Sequence, residues 1–326
     1  MSAENPPTSS KQLTQDRSGP RAVGMGIVAS FFFATTFVLN RLLVTGGGHW
    51  GWAASMRYVF TFFILGTFVA LKDGFGELPM EIRRHPGPWI LWSAIGLGFF
   101  GLFLALAAVT GPAWLVAGGY QFTVIAGPLL APFIYKDERR RIAPLTIVAG
   151  VIVVGGVLAM QLSRATHVSV SSAIASLGAI FMSAVLYPLG NRKLMLHLEH
   201  CRCRITASQR VFGMSTLSLI VHVPLAIFTW VTYGPPAPRE LLLAAGVALS
   251  AGVIATTIFF RATEMVRNNR VNLAAVEAMQ SCALLWSMLM GVGLLGEPWP
   301  QGIAAVGALA VFGGIVMFTA LSALRR

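Results

Sequence analysis

Apolar runs long enough to cross a lipid bilayer as helices, about 20 residues each, recur along nearly the whole of this sequence. Only 11% of its 326 residues are charged, whereas an ordinary soluble domain carries about 25% charged residues. A soluble chain of this size could not cover its surface with so few charges. This composition excludes a cytosolic enzyme, a nucleic-acid-binding module and a disordered protein, and it predicts an all-α integral membrane protein.

The apolar runs predict ten transmembrane helices. Residues 1–21 are polar and contain several Ser and Pro, so we expect a disordered cytoplasmic tail there. The next run is too long for the core of a signal peptide, and we take it as the first span. The predicted spans are 22–43, 52–71, 89–109, 113–135, 142–162, 169–190, 208–231, 241–262, 273–295 and 301–323.

The excess of basic residues, which gives a net charge of +12, predicts the orientation of these spans. When the N-terminus is placed in the cytoplasm, the outward-facing loops and span ends hold only Arg41, Arg57, Arg164 and Arg239 of the 24 Lys and Arg. Basic residues are retained on the cytoplasmic side of membrane proteins. The distribution therefore predicts that both termini are cytoplasmic, and it supports the count of ten.

The ten spans divide into two five-helix halves, residues 22–165 and 166–326, which resemble each other in order. Asn40-Arg41 is matched by Asn191-Arg192 after 151 positions, and Ser55 by Ser208 after 153. Gln121 is matched by Gln280, and Glu138 by Glu297, both after 159 positions. Because each half has an odd number of spans, the halves are predicted to cross the membrane in opposite senses. Secondary transporters have this inverted arrangement, with the substrate site between the halves near the midplane.

Several segments carry a resemblance to a known family. They are the paired Arg57 and Arg210, Glu297 after span nine, Tyr187-Pro188-Leu189-Gly190-Asn191-Arg192-Lys193, Gly111-Pro112-Ala113-Trp114-Leu115-Val116-Ala117-Gly118, Gln121-Phe122-Thr123 and Ala274-Ala275-Val276-Glu277-Ala278. The chain resembles the ten-span, EamA-like drug/metabolite transporter superfamily, and within it the branch of multidrug resistance efflux transporters. The resemblance implies a carrier of the bacterial inner membrane that exports a small organic solute in exchange for protons or another solute.

Glu277 is the one acidic residue that lies clearly inside a predicted span. A charge in the hydrocarbon core costs at least about 2.5–3.5 kcal/mol, and a desolvated carboxylate can bind and release a proton. Glu277 is therefore the candidate coupling or substrate-binding group. The alternative is a buried ion pair between Glu277 and Arg57, Arg210 or Arg261 that stabilises the bundle.

Two arginines occupy equivalent depths in the two halves. Arg57 and Arg210 could attract an anionic substrate to the mouths of a central cavity, or they could extend toward lipid headgroups. Asn40 and Asn191, at the ends of their spans, could form hydrogen bonds across helices or contact substrate.

Polar and aromatic side chains within the spans predict the lining of a cavity. Gln121 and Gln280 must find partners, either in another helix or in the cavity. Tyr120, Tyr187 and Trp286 are candidates for stacking against an organic solute. The predicted partners are thus a small molecule and the lipid bilayer, with protons as a candidate coupling ion.

No motif for catalysis, nucleotide binding or a cofactor is present in a suitable context, so no enzyme activity and no cofactor are predicted. His197, His200, Cys201 and Cys203 could bind zinc or copper, but the sequence shows no second cluster of ligands, and ordinary loop residues are the favoured interpretation. The leading prediction is an exporter of small organic solutes. The alternative is a permease or exchanger for an anionic or zwitterionic metabolite that contacts Arg57 and Arg210.

Overall fold

The computed structural model describes residues 10–72, 74–137, 140–142, 144–163, 170–266, 272, 275–276 and 279–325, and every regular element among them is helical. The α-helices are α1 (Ser10–Thr45), α2 (Trp50–Lys72), α3 (Leu78–Arg84), α4 (Pro86–Ser93), α5 (Phe100–Thr110), α6 (Ala113–Tyr120), α7 (Thr123–Leu129), α8 (Ala131–Ile134), α9 (Pro144–Leu162), α10 (Val170–Cys201), α11 (Ala207–Tyr233), α12 (Pro238–Val247), α13 (Thr256–Met265), α14 (Cys282–Leu295) and α15 (Ile303–Arg325). The π-helical turn Ala94–Phe99 joins α4 to α5, and the π-helical turn Ala248–Ala255 joins α12 to α13. The 3₁₀ turn Met279–Ser281 leads into α14.

Among the described residues, six helical stretches are long and apolar enough to cross a membrane. They are Gly19–Thr45, Trp50–Lys72, Pro86–Val109, Ile174–Cys201, Ala207–Tyr233 and Pro238–Met265. Shorter apolar helices cover Ile147–Leu162, Met279–Leu295 and Ile303–Phe318. The predicted fourth span is divided among α6, α7 and α8. Two prolines in this span, Pro128 and Pro132, each remove a backbone donor from a continuous helical ladder.

Two helices are longer than the predicted spans. Helix α1 begins at Ser10, inside the segment 1–21 for which disorder is predicted. Helix α10 continues to Cys201, well beyond the predicted end of its span at residue 190. Once a helix is nucleated, each added residue gains a backbone hydrogen bond at little further cost, so hydropathy alone does not mark where the helix ends.

Large apolar side chains cover much of the outside of the bundle. Phe63, Phe133, Val231, Leu242 and Leu309 are all more than half exposed. A soluble monomer rarely exposes apolar surface on this scale. These side chains form the surface of a multi-pass membrane protein that contacts lipid.

The interior consists of several apolar clusters in place of one central core. The largest cluster joins α6, α7, α9, α14 and α15, and a second joins α1, α5, α6 and α10. Helices α9 and α15 form the most extensive helix pair, and they approach closely at Gly156 and Gly307. A Cβ atom on Gly156 would lie 2.6 Å from the carbonyl oxygen of Gly307, so this crossing requires small residues.

The contacts between helix ends fall into two groups at opposite ends of the bundle. The Glu297 end comprises the ends of α1, α5, α6, α12 and α14, where Arg41 lies 3.6 Å from Glu297 and Arg239 lies 3.4 Å from the carbonyl oxygen of Gly46. The Glu81 end comprises α3 and the ends of α2, α8, α10 and α11, where the Lys193 ammonium donates to the carbonyl oxygen of Phe133 at 3.2 Å.

Candidate functional site

A cavity of about 190 Å³ lies in the middle of the bundle, lined by residues from both halves of the chain. Its walls come from α1, α2, α5, α6, α7, α10, α11, α13 and α14, together with the π-helical and 3₁₀ turns. Eight of the lining residues are aromatic: Phe33, Phe37, Tyr58, Phe100, Tyr120, Tyr187, Phe259 and Phe260.

Four aromatic residues form a continuous wall on one side of the cavity. The Tyr120 ring lies 5.8 Å from Phe37 and 5.8 Å from Phe100. The Phe100 ring lies 5.2 Å from Tyr187. Such tilted contacts orient each ring against its neighbours, so the wall offers flat apolar surface with two phenolic hydroxyl groups.

The helix interruptions at Gln121 and Gln280 meet beside this wall. Gln121 follows the last residue of α6, and Gln280 lies in the 3₁₀ turn before α14. The Gln121 side-chain amide donates to the backbone carbonyl of Gln280 at 3.3 Å. This contact joins the two halves and leaves the Gln280 side chain on the cavity lining.

Arg57 is the one Lys or Arg among the cavity-lining residues, and the described part of the lining contains no carboxylate. The Arg57 guanidinium carbon lies 5.4 Å from the centre of the Tyr58 ring. That ring stacks at 4.0 Å on His222, whose Nε2 lies 3.4 Å from the carbonyl oxygen of Leu97. Leu97 belongs to the π-helical turn Ala94–Phe99, and such turns occur frequently at functional sites.

A groove of about 590 Å³ lies next to the cavity on the side of the Glu81 end. It is bounded by Lys72 at the end of α2, Ala207 at the start of α11, and Arg261 and Glu264 near the end of α13. The groove and the cavity share Val211, Thr256 and Phe260 as lining residues. The cavity and the groove therefore adjoin at these three residues.

Two charged side chains at the Glu297 end hold the turn between α5 and α6. The Arg41 guanidinium donates to the carbonyl oxygens of Ala108 at 2.9 Å and Val109 at 3.2 Å, in the last turn of α5. The Glu297 carboxylate accepts from the Ala113 backbone N–H at 2.9 and 3.1 Å, at the start of α6. Each charge thus opposes the helix dipole at its own terminus, and Arg41 and Glu297 also attract each other.

The structure brings six of the ten predicted site residues to the cavity lining: Arg57, Tyr120, Gln121, Tyr187, Asn191 and Gln280. Three others lie off this lining. Asn40 is buried, Trp286 packs edge-on against Phe31 at 5.4 Å, and Arg210 is partly buried in the first turn of α11. Glu277 lies outside the described residues, and so does Glu138.

Tyr58, Phe100 and His222 were missed by the sequence analysis. A tyrosine or phenylalanine in an apolar run is expected in most spans, so Tyr58 and Phe100 carry no distinctive signal. His222 does carry one, because a titratable side chain inside a membrane span is rare. His222 was not among the predicted site residues because only acidic side chains were considered as titratable groups within the spans.

The cavity lining contains no group of His, Cys, Asp or Glu among its described residues that could hold a metal ion. One such group lies elsewhere, at the Glu81 end.

A sequence profile of the family described as "EmrE: Putative multidrug resistance efflux transporter" matches residues 20–324. The chain is 36% identical over 315 residues to "Uncharacterized protein YjlA" of Bacillus subtilis (strain 168), a match that covers 94% of this chain and 96% of that protein. It is 35% identical over 267 residues to an "Uncharacterized 42.1 kDa protein in intracellular alkaline protease 3'region" of Shouchella clausii, covering 80% of this chain and 69% of that one.

A solved structure titled "Crystal structure of protein" superposes on this chain with a TM-score of 0.60. The match covers 94% of this chain and 98% of the other, at 17% sequence identity. At this identity the likeness concerns the fold alone.

Proposed function

Because this chain belongs to the multidrug resistance efflux transporter family, we propose that it is a secondary transporter that exports small organic solutes by alternating access, with the central cavity as the substrate site. The observation that carries the proposal is the position of this cavity. It lies between the two halves of the chain, next to a groove at the Glu81 end and behind a closed Glu297 end.

Ten spans in two inverted halves are supported by irregularities that recur in the same order. A π-helical turn interrupts span three at Ala94 and span eight at Ala248, 154 positions later. This offset falls between the 153 positions that separate Ser55 from Ser208 and the 159 that separate Gln121 from Gln280. Equivalent irregularities in opposite halves are typical of transporters built from inverted repeats.

Alternating access requires that one end be closed while the other gives access to the site. The Arg41–Glu297 contact at one end and the groove lined by Lys72 and Arg261 at the other fit such a state. The positive-inside bias favours a cytoplasmic position for the Glu81 end, and with that orientation the described state is an inward-facing one. A reporter fused after Arg326 tests this orientation, and a periplasmic signal would contradict it.

The chemistry of the lining favours an aromatic or apolar solute that carries a negative group, which is a second and more specific proposal. The aromatic wall offers stacking surface, and Arg57 offers a fixed positive charge with no carboxylate among the described lining residues. A guanidinium binds carboxylate and phosphate groups with two parallel hydrogen bonds. An organic cation could also contact the aromatic rings, but the Arg57 charge would oppose its binding unless a carboxylate such as Glu277 compensated.

Transport by the purified protein in proteoliposomes tests both proposals. The panel consists of aromatic carboxylates, amino acids and lipophilic cations, with an imposed pH gradient and a pH-sensitive dye inside the vesicles. We expect saturable transport of an aromatic carboxylate, with affinity at least about tenfold weaker in Arg57→Gln, since a hydrogen bond to a charged group contributes about 1.5–3 kcal/mol. The matched control is Arg239→Gln, which changes an exposed arginine at the Glu297 end.

The outcomes separate the two substrate classes. Transport of cations alone, unchanged in Arg57→Gln, would contradict the anion proposal and leave the exporter proposal standing. No transport of any panel member by folded protein would count against both. Proton movement that accompanies transport and disappears in Glu277→Gln would assign coupling to Glu277, and unchanged coupling would remove it.

A further inference from the structure

Four side chains from two separate helical segments converge at the Glu81 end. Glu81 and His85 come from α3 and the residue after it, and His197 and Cys201 come from the last turns of α10. One ligand atom from each residue, a carboxylate oxygen, two imidazole nitrogens and a sulfur, lies within 4.8 Å of the other three. The carboxylate is buried and the other three residues are partly exposed.

The sequence positions these groups through two equal spacings. Glu81 and His85 are four residues apart at the end of α3, where the His85 backbone N–H still donates to the Glu81 carbonyl oxygen at 3.0 Å. His197 and Cys201 are also four residues apart, which places them on one face of α10, one turn apart. The two faces meet because Leu78, Trp89 and Leu194 pack in one apolar cluster beneath them. The second pair depends on α10 continuing past residue 190, since a loop would not place His197 and Cys201 side by side.

The distances within the group are close to those around a tetrahedral zinc ion. Zinc binds nitrogen and oxygen at about 2.0–2.2 Å and sulfur at about 2.3 Å, so two nitrogen or oxygen ligands lie about 3.3 Å apart and a nitrogen and a sulfur about 3.6 Å apart. In the structure, Glu81 Oε1 lies 2.9 Å from His85 Nδ1 and 3.0 Å from His197 Nε2. His197 Nε2 lies 3.6 Å from Cys201 Sγ.

We propose that Glu81, His85, His197 and Cys201 form a zinc-binding site that joins α3 to the end of α10. Two nitrogens, one sulfur and one oxygen are ligands that suit Zn²⁺, whereas Mg²⁺ and Ca²⁺ prefer oxygen alone. The site lies away from the substrate cavity and is independent of the transport proposal.

Cys203 is the neighbour that stabilises this arrangement. It forms a side-chain hydrogen bond with Glu81. Burial acts to raise the pKa of Glu81, but hydrogen bonds with Cys203, His197 and His85 hold that pKa below its usual value. Burial and the nearby Glu81 carboxylate raise the pKa of the Cys203 thiol to about 12, so this thiol is suited to donating a hydrogen bond to the carboxylate.

A zinc ion at this site would constrain a helix that also forms part of the cavity wall. Helix α10 carries Tyr187 and Asn191 on the cavity lining and ends at Cys201. The connection between α2 and α4, which includes α3, would then be fixed to α10 by metal bonds as well as by the apolar cluster.

The test is zinc binding by the full-length protein in detergent, purified with a tag that contains no histidine and stripped with a chelator. We expect one zinc ion per chain, measured by competition with a chromophoric chelator. His197→Ala and Cys201→Ala should each bind zinc at least 10-fold more weakly, because loss of even an outer-layer partner costs about 10–100-fold in metal affinity. His200→Ala is the matched control, since the exposed His200 contacts the Leu196 carbonyl of its own helix at 2.6 Å.

Two further measurements keep the test independent of folding defects. Cobalt substitution should give a sulfur-to-metal charge-transfer band that is lost in Cys201→Ala and retained in Cys203→Ala. Glu81→Gln preserves the size of the side chain and should also weaken zinc binding at least 10-fold. The proposal is overturned if folded wild-type protein takes up no zinc, or if His197→Ala and Cys201→Ala bind it as tightly as wild type does.

Discussion

Buried carboxylates hold both ends of this bundle, but their partners differ. At the Glu297 end the partners are mainly backbone amides, because Glu297 accepts from Ala113 N–H and Glu240 accepts from His49 N–H at 2.8 Å and Ala237 N–H at 2.7 Å. At the Glu81 end the partners of Glu81 are the side chains of two histidines and a cysteine.

The two ends are therefore stabilised by different kinds of hydrogen-bond partner. A carboxylate that accepts from amides at the start of a helix satisfies donors that the helix itself leaves unpaired, and those donors do not titrate. At the Glu81 end the histidine and cysteine side chains are themselves metal ligands. The contacts at the Glu297 end therefore depend on the protein alone, whereas those at the Glu81 end could also be made through a metal ion.

Loss of the Glu297 carboxylate should have the largest effect on stability. Glu297→Ala leaves the partly buried Arg41 charge and the Ala113 amide without their acceptor. We expect a decrease of about 3 kcal/mol in the free energy of unfolding in detergent, as for other buried pairs that lose one partner. Glu297→Gln should cost less, because its amide oxygen can still accept from Ala113.

Glu199→Ala is the control for this prediction, because Glu199 is an exposed carboxylate on α10 and its loss should change stability by at most about 0.5 kcal/mol. Equal losses in Glu297→Ala and Glu199→Ala would contradict a stabilising role for the Glu297 contacts.

Zinc should stabilise the Glu81 end selectively. At a free zinc concentration 100 times Kd, a ligand that binds only the folded state adds about 2.7 kcal/mol. Hydrogen exchange should slow in residues 78–85 and 195–201 and stay unchanged in residues 234–240. If zinc slowed hydrogen exchange equally at both ends, or slowed it as much in His197→Ala as in wild type, the predicted selective stabilisation of the Glu81 end would be wrong.

Loss of the hydrogen bond between Gln121 and Gln280 at the cavity, which belongs to neither end, should have the smallest effect on stability. Gln121→Leu removes the donor to the Gln280 carbonyl, and we expect a loss of about 1 kcal/mol, typical of one hydrogen bond. Gln280→Leu keeps that backbone carbonyl and should cost less. Thermal unfolding of the two variants in the same detergent compares them, and a larger loss in Gln280→Leu would show that the Gln280 side chain has a structural role of its own.

Much of the architecture could be predicted because hydropathy is a local property. A run such as 52–71 must be helical in lipid, since a backbone in hydrocarbon has to satisfy its own hydrogen bonds. The buried amide of Gln121 was predicted to need a partner on the same grounds. The identity of that partner, the backbone carbonyl of Gln280, depends on where two helices break, and no local pattern gives this position.

Contacts between distant segments of the chain could not be predicted from the sequence. The sequence placed Arg41 at an outward-facing span end, and the structure shows its partners to be α5 carbonyl oxygens and Glu297, which is 256 positions away in the chain. The residues 197–203 were interpreted as an ordinary loop because no second set of ligands was visible. Glu81 and His85 become a second set only when α3 packs on α10.

By itself, the sequence determined that this protein is a membrane protein of many helices in an efflux transporter family, because apolar length and family motifs are contained in the order of the residues. Only the tertiary structure decided which polar side chains face one another. Arg57 enters the cavity while Arg210, its counterpart in the other half, does not line it, and Glu81 meets His197 across 116 positions. Such pairings follow from the packing of whole helices, which fixes distances that no spacing along the chain can specify.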